Sequence, residues 1–493
     1  MRTLGTIARV LTLCLGALLA VDKAAVAQNQ GPWWTWSTID GDWDGYRNLL
    51  ADRGLIFSGI TVADFQGNIS GGNRRAFAPA DSSVLAIDAD LKRLAGLNGL
   101  LFHVEFVSVA GENLSTKSLG NTLQVATAFS EPGYYLGQMY AQQKLFDDKL
   151  TLQAGRMTTA NNFASLPIFN DYVSFTTNPI PISLTNNTIY FSSLPGVTWA
   201  AVGTVTATES ISFAAGIYDS NLPSALPFGS RSGVDVSFGE SGGPMEAAQF
   251  TYDFNRSSSD TGLPGIFNLG AFYSDADYQV LSNGNHQRGN YGFYLEAQQM
   301  IYRYGGSGSD LGLSPWFTLA YNPQHNINPL PLLVMAGAAY HGLLPGRGDD
   351  SLAVAFYYGK LNTASAAPVS SVVSAPIPTS STSNEKVLEL DYTCWATPWL
   401  GITPDFQYVF NPDGSGRGQE CRGSRRANSS AVLGTGHASS KTPLPSDRNE
   451  VSFDATNSAL VLRPGLGASE DANSRRQRTY LHLSDGSAVR SSH

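Results

Sequence analysis

The run Leu100-Leu101-Phe102-His103-Val104-Glu105-Phe106 decides how the chain folds. Leu100, Phe102, Val104 and Phe106 alternate with His103 and Glu105. In an extended chain, that period of two puts apolar side chains on one face and titratable ones on the other. The pattern repeats along the chain. Leu85, Ile87, Ala89 and Leu91 alternate with Asp88, Asp90 and Lys92; Leu150, Leu152 and Ala154 with Thr151 and Gln153; Phe250, Tyr252 and Phe254 with Thr251 and Asp253. Further on, Tyr291, Phe293, Leu295 and Ala297 alternate with Glu296 and Gln298, and Leu388, Leu390 and Tyr392 with Glu389 and Asp391. Fifteen such runs are read near 55–65, 83–92, 100–109, 135–144, 150–156, 197–205, 210–217, 248–254, 265–273, 291–301, 315–321, 332–340, 351–358, 386–393 and 400–410.

A soluble β-sandwich alternates too. Three features favour a transmembrane antiparallel β-barrel. The strands run to about 8–11 residues, the length that crosses a bilayer at a tilt. Aromatic residues recur at strand ends (Tyr134, Tyr140, Tyr218, Tyr302, Trp316, Tyr321, Tyr408), as in an interfacial girdle. The polar face carries charges as well as hydroxyls, which suits a water-filled lumen. Composition agrees: Gly is 50 of 493 residues, charged residues are 14% against about 25% in soluble proteins, and mean hydropathy is −0.11. Short turns (Asp147-Asp148, Thr208-Glu209) alternate with long connections at 157–196, 219–246 and 361–384. Bacterial single-chain barrels have even strand numbers, so about 16 strands are expected and one is missing from the fifteen.

The ends read differently. Arg2 and Arg9, an apolar core from Val10 to Ala20, and Ala25-Val26-Ala27 form a signal peptide over residues 1–27. Past Ala27 no apolar stretch reaches the 18 or more residues of a membrane helix. Residues 28–54 form an N-terminal periplasmic segment. In it Trp43, Tyr46, Leu49 and Leu50 share one face of a short amphipathic helix, with Asp40 or Asp42 as cap and Gly54 as stop. The barrel is placed at 55–416. From 417 to 493 the only aromatics are Phe453 and Tyr480, against 51 upstream, and net charge turns to +4 against −13 before it. A segment this poor in apolar surface is expected to be largely disordered. Two readings of it stay open: a natural extension, or a reading-frame shift near Gly414–Gly418 that replaced the closing strand. The two cysteines past the signal peptide, Cys394 and Cys421, sit in unrelated settings and are not expected to pair.

Several motifs together resemble the carbohydrate-selective porins of the OprB family. Asp40-Gly41-Asp42-Trp43-Asp44-Gly45-Tyr46-Arg47-Asn48-Leu49-Leu50-Ala51-Asp52-Arg53-Gly54 is similar to the family's opening GDWGGxRxxLxxxG signature, with Asp44 where Gly is usual. Gly137 to Gln143 followed by Leu152-Gln153-Ala154-Gly155-Arg156 looks like its central strand pair. Thr397-Pro398-Trp399-Leu400 to Pro404-Asp405-Phe406-Gln407-Tyr408 looks like its penultimate strand. The resemblance covers about residues 33–416. It implies a sixteen-stranded barrel in the bacterial outer membrane that passes mono- and oligosaccharides. The chain departs from the family at its end, where no final strand closing on an aromatic is recognised.

A diffusion channel needs a constriction that replaces a solute's hydration and still releases it. By parity the inward candidates are Asp88, Asp90, His103, Glu105, Gln142, Gln153, Glu296, Glu389 and Asp391. Arg74, Arg75, Arg156 and Asp171 lie in or beside loops. The 157–196 connection is the best constriction candidate because it is long and offers Asn161, Asn162, Phe163, Phe169, Asp171 and Tyr172. The acidic balance upstream of the tail argues against an anion channel and suits neutral sugars or cations. No H-E-x-x-H, G-x-S-x-G or Walker A pattern occurs, so no enzyme, cofactor, metal site or nucleic-acid partner is expected; calcium on the exposed Asp–Asn loops stays open. The partners are sugars as permeating solutes and outer-membrane lipid, and monomer and homo-oligomer both stay open. Two other functions are carried: a general porin without sugar preference, and a secreted β-rich carbohydrate-binding or adhesive protein.

Overall fold

The computed structural model of the protein describes residues 31–128, 131–220, 242–256, 260–306, 309–362, 384–414 and 429–435. The expected signal peptide, Cys421 and most of the tail lie outside the described residues. The chain forms one antiparallel sheet from β1 (Leu55–Ser70), β2 (Ala76–Asp90), β3 (Leu100–Gly111), β4 (Gly133–Leu145), β5 (Leu150–Met157), β6 (Thr198–Thr208), β7 (Ile211–Tyr218), β8 (Met245–Phe254) and β9 (Gly265–Gln279). It continues through β10 (His286–Gln299), β11 (Tyr302–Tyr304), β12 (Leu311–Tyr321), β13 (Leu332–His341), β14 (Ser351–Lys360), β15 (Asn384–Thr397), β16 (Leu400–Ile402), β17 (Pro404–Phe410) and β18 (Ser429–Thr435). Each strand pairs with its sequence neighbour, as short hairpin connections dictate. β11 prolongs β10 against β12, and β16 prolongs β17 against β15. The ladder therefore makes sixteen passes, and all fifteen runs read from alternation are among them.

The sixteenth is β18. It pairs with β17 from Pro404↔Thr435 to Phe410↔Ser429, and with β1 from Gln66↔Gly434 to Ser70↔Ala431. The ladder thus returns to its first strand. Side-chain patterning predicts no strand after 416, because Ser429-Ser430-Ala431-Val432-Leu433-Gly434-Thr435 has neither alternation nor an aromatic end. Ladder pairing uses backbone groups, and β1 and β17 would otherwise leave two rows of N–H and C=O groups unpaired.

Alternation sorts the two faces. On β15, Glu385, Val387, Glu389 and Asp391 are buried, while Leu388 and Leu390 between them are exposed. Inward burial comes from the long connections at one rim, which fold into the barrel. The apolar core therefore lies inside the barrel: Phe163, Phe169, Tyr172 and Phe191 from the β5–β6 connection pack against Tyr218, Tyr294, Trp316 and Tyr357 of the wall. No helix among the described residues is long and apolar enough to cross a membrane.

The N-terminal helix α1 (Tyr46–Asp52) is shorter than the amphipathic pattern. Neither Asp40 nor Asp42 caps it. Gly45, left-handed at φ 87°, holds the cap position, while Asp40 binds Arg47 at 2.5 Å and the Trp43 indole N–H at 3.1 Å. Trp43 lies before the helix and packs edge-on against Phe57 at 5.6 Å. Leu50 and Ala51 supply the buried side. Farther upstream Trp33 packs on Trp399, whose indole N–H donates to the Trp33 carbonyl at 3.2 Å. These contacts hold the segment to the short-turn rim.

Candidate functional site

The β5–β6 connection descends through the lumen and returns. The Ala164 N–H donates to Gln249 on β8 at 3.0 Å, and the Ile168 N–H to Gln298 on β10 at 3.2 Å. At its deepest, Asp171 meets His341 Nε2 at 2.9 Å, at the short-turn end of β13. Val173 and Ser174 N–H groups then donate to Glu389 on β15 at 3.0 and 2.7 Å. A short helix, α2 (Ile182–Asn187), leads back up, where Asn187 Nδ2 donates to the Leu330 carbonyl at 2.7 Å in the long β12–β13 connection. Burying each aromatic ring is worth about 1.5–3 kcal/mol, against about 0.5–1.5 kcal/mol net for a neutral hydrogen bond. Ring packing therefore holds the loop inside, and the polar wall residues fix its register.

Two wall glycines make room for it. A Cβ at Gly337 would lie 2.8 Å from the Tyr172 hydroxyl and 2.7 Å from the Trp316 indole nitrogen. Through that gap the Tyr172 hydroxyl donates to the carbonyls of Ala338 and Val354, and accepts from Trp316 at 2.8 Å. At Gly270 a Cβ would come within 2.0 Å of the Tyr294 ring. That ring is thereby seated so that its hydroxyl donates to Gln249 at 2.7 Å.

A second connection, between β3 and β4, also turns inward, beside the 157–196 connection that its length singles out. Thr122 and Leu123 N–H groups donate to Glu385 at 3.0 and 2.7 Å, and the Ala128 N–H to Asp64 at 2.9 Å. Gln66 and Gln407 both donate to the Val125 carbonyl, at 3.0 and 2.8 Å. The two connections meet where the Thr127 N–H donates to the Val173 carbonyl and the Ser174 hydroxyl to the Gln124 carbonyl, at 3.1 and 2.7 Å. Between them, toward the long-loop rim, lies a cavity of about 370 Å³. Its lining includes Asn113, Gln124, Thr127, Phe175, Thr185 and Phe191. Hydroxyls and amides beside aromatic rings are the surface a sugar's hydroxyl and C–H faces require.

The sequence-predicted residues distribute as follows. Asp88, His103 and Glu105 form one buried cluster on β2 and β3: His103 Nδ1 is 2.5 Å from Asp88 and Nε2 3.1 Å from Glu105. The ring stacks on Tyr140 at 4.8 Å. Gln138 joins Glu105 to the Thr158 N–H at the head of the β5–β6 connection, and Gln153 donates to Gln142 beside it at 2.9 Å. Arg156 is fully buried at the end of β5, and Asn161 and Asn162 follow in the loop, the latter donating to Met157 Sδ at 3.8 Å. Phe163 and Phe169 are buried against Tyr218 and Trp316, so their rings are spent on the wall.

Five of the candidate residues lie otherwise than expected. Asp90 is not a lining group: β2 ends there, and its carboxylate accepts from the N–H groups of Lys92 and Arg93 as the cap of a short helix, Leu91–Ala95. Arg74 and Arg75 do not reach the constriction; both are exposed at the long-loop rim, where Arg74 Nε donates to the Lys117 carbonyl at 2.8 Å. Glu389 and Glu296 are not solvated. Glu389 also accepts from the Tyr357 hydroxyl, and Glu296 accepts from Asn268 at 3.0 Å, whose amide also donates to the loop carbonyl of Ser165. Parity alone could not show this, since it is blind to which loop covers a face. Asp391, buried on the same face, lies with Glu389 and with Asp405 of β17.

The carbohydrate-selective porin family, OprB, matches residues 74–438 of the chain. Porin B of Pseudomonas aeruginosa is 24% identical over 430 residues, which is 81% of this chain and 92% of that protein. Among solved structures, the high-pH structure of Pseudomonas putida OprB superposes with a TM-score of 0.70 at 21% identity, over 83% of this chain and 99% of that one. The low-pH structure of the same protein gives a TM-score of 0.54 at 18% identity, with the same coverage.

Proposed function

Because the chain belongs to the carbohydrate-selective porin family OprB, we propose that it passes mono- and oligosaccharides across the outer membrane by diffusion between its two inward connections and the wall. It is a passive channel and not an enzyme, and its setting is the outer membrane. The observation that carries the path is the β5–β6 connection, tied to β8, β10, β13, β14 and β15 and so narrowing the lumen over most of its height. The 370 Å³ cavity at the long-loop rim is the first subsite a sugar meets. Asn113, Gln124 and Thr127 take its hydroxyls and Phe175 its C–H face. Farther in, Asp88, His103, Glu105, Gln153 and Arg156 belong to the wall network that sets the field along the path. Swelling of liposomes holding the refolded mature chain tests this. Glucose and maltose are expected to enter faster than amino acids of similar size; equal rates would make the protein a general porin.

The partner reading extends to a second copy of the chain. Asp64 and Gln66 bind inward loops, so the alternate positions of β1 face outward. Thr61, Ser83 and Ser108 stand in register across β1, β2 and β3 on that outer face, with Asp81 opposite Ala63 and Ala110. The outer faces of β12 to β15 carry instead Leu313, Phe317, Val334, Val354, Phe356, Leu388 and Leu390. A charged group facing lipid is costly, and packing against a second copy removes that cost. Sedimentation of the detergent-extracted protein at an oligomer mass supports this, and a monomer mass argues against it.

A further inference from the structure

The inner faces of β15 and β17 bring three carboxylates together. Asp391 stands opposite Asp405 and Glu389 opposite Gln407 in the ladder, and the nearest oxygens of Glu389, Asp391 and Asp405 all lie within 4.8 Å of one another. All three are buried. Among the described residues, none of the Lys, Arg or His ion pairs reaches them. Buried charge of one sign needs a counter-charge, by proton or by cation.

The neighbouring amides distinguish the two. Gln66 on β1 and Gln407 on β17, both almost wholly buried, turn their Nε2 atoms to Asp405 Oδ2 at 2.8 and 3.3 Å. Amide O and N atoms are about 2.2 Å apart, given their bond lengths. Both Oε1 atoms therefore lie close to the cluster, and neither has a hydrogen-bond donor. Both oxygens of Asp391 and Oδ1 of Asp405 are likewise without one. Protons shared by Asp391 with Glu389 and Asp405 would still leave both amide oxygens without a donor; five acceptors from three strands are the donor set of a hard cation.

We propose that Asp391, Asp405, Gln407 and Gln66, with Glu389 beside them, form a calcium site on the inner wall of the barrel. Calcium binds 6–8 carboxylate and amide oxygens at about 2.3–2.6 Å in a flexible shell. Two oxygens on one such ion can be at most about 4.6–5.2 Å apart, and the observed span falls within that. Magnesium demands a tighter octahedron and keeps its water, and zinc would call for nitrogen or sulfur ligands, which the cluster lacks. The ion joins β15 and β17 to β1 through Gln66, and to the β5–β6 connection through Glu389 and its bonds to Val173 and Ser174. It thereby fixes the wall where the constriction is anchored. This site is distinct from the exposed Asp–Asn loops.

The test uses the full mature chain, refolded in detergent free of lipopolysaccharide and stripped with chelator. Calcium chloride is titrated by calorimetry and by the heat-unfolding midpoint. Expected are one bound ion per chain and a midpoint that climbs with the logarithm of free calcium, with no such climb in magnesium. The double variant Asp391→Asn/Asp405→Asn should lose both and, relieved of like-charge repulsion, unfold no lower than the parent in chelator. Gln407→Leu keeps the carboxylates and should weaken binding about tenfold or more, the scale on which single supporting groups act at metal sites. An absence of calcium binding in the parent, or binding undiminished in both variants, overturns the proposal.

Discussion

The β3–β4 and β5–β6 connections both fold into the barrel, yet they are written in different chemistry. The β5–β6 connection enters with aromatic rings: Phe163, Phe169, Tyr172 and Phe191 all find wall partners. Among its described residues the β3–β4 connection carries no ring into the core; it enters with Thr122, Leu123 and Ala128 N–H groups on Glu385 and Asp64 and with the aliphatic side chains of Leu114, Leu119, Leu123 and Val125 buried in the core. One is held by aromatic packing with polar register pins, the other by aliphatic packing with backbone pins on buried carboxylates. A wall carboxylate can therefore serve as an anchor for a loop rather than a solute contact, and the same residue type on the same face does not tell which.

Removing the packed connection should break the comparison most visibly. Replacing residues 160–191 by a short Gly-Ser linker is expected to raise single-channel conductance severalfold and abolish block by maltooligosaccharides, with heat-modifiable gel migration kept. Unchanged conductance would mean the loop does not narrow the path. Glu389→Ala should come next. It strips the acceptor from two buried N–H groups and the Tyr357 hydroxyl, at about 1–3 kcal/mol for each stranded group; the expected readout is a lower unfolding midpoint with flickering current. Glu385→Ala does the same to Thr122, Leu123 and the Asp413 N–H. Because ring packing does not back up that loop, it should loosen the rim cavity and weaken sugar block, with little change in conductance.

The smallest effect lies away from both loops. At the short-turn rim, burial alone would raise the Asp350 carboxyl, but Arg347, Tyr392 and the Trp395 N–H outweigh it and hold it below the usual value. A carboxyl lowered in the folded state stabilises above its unfolded pKa, and that contribution fades as pH falls through the folded value. Asp350→Asn should therefore cost about 1–3 kcal/mol near neutrality and progressively less below about pH 4, with currents unaltered. Chemical unfolding at several pH values checks it.

Fifteen of the sixteen strand positions are legible because those passes alternate under one constraint, an apolar face outside and a polar or loop-covered face within. Inner-face roles were only partly legible. Parity puts Asp88, His103 and Glu105 on one face without showing that they form a single cluster, and it is blind to the end of the strand at Asp90, whose side chain caps a helix. The β3–β4 connection did carry a signal: Leu114, Leu119, Leu123 and Val125 are too apolar for a surface loop, and a connection that apolar must be covered. Gly337 and Gly270 carried another, since glycine inside a strand marks close approach by something else. The final strand was illegible in side-chain terms, because its place is set by the backbone edges of β1 and β17.

The central claim is that sugars diffuse through a lumen narrowed by these two connections. Single-channel current through the refolded mature chain in planar bilayers, with maltooligosaccharides titrated in, tests it most directly. Stable steps with saturable block that is lost on removing residues 160–191 are the predicted result. Steps that no sugar blocks, or block that survives the deletion, would contradict it.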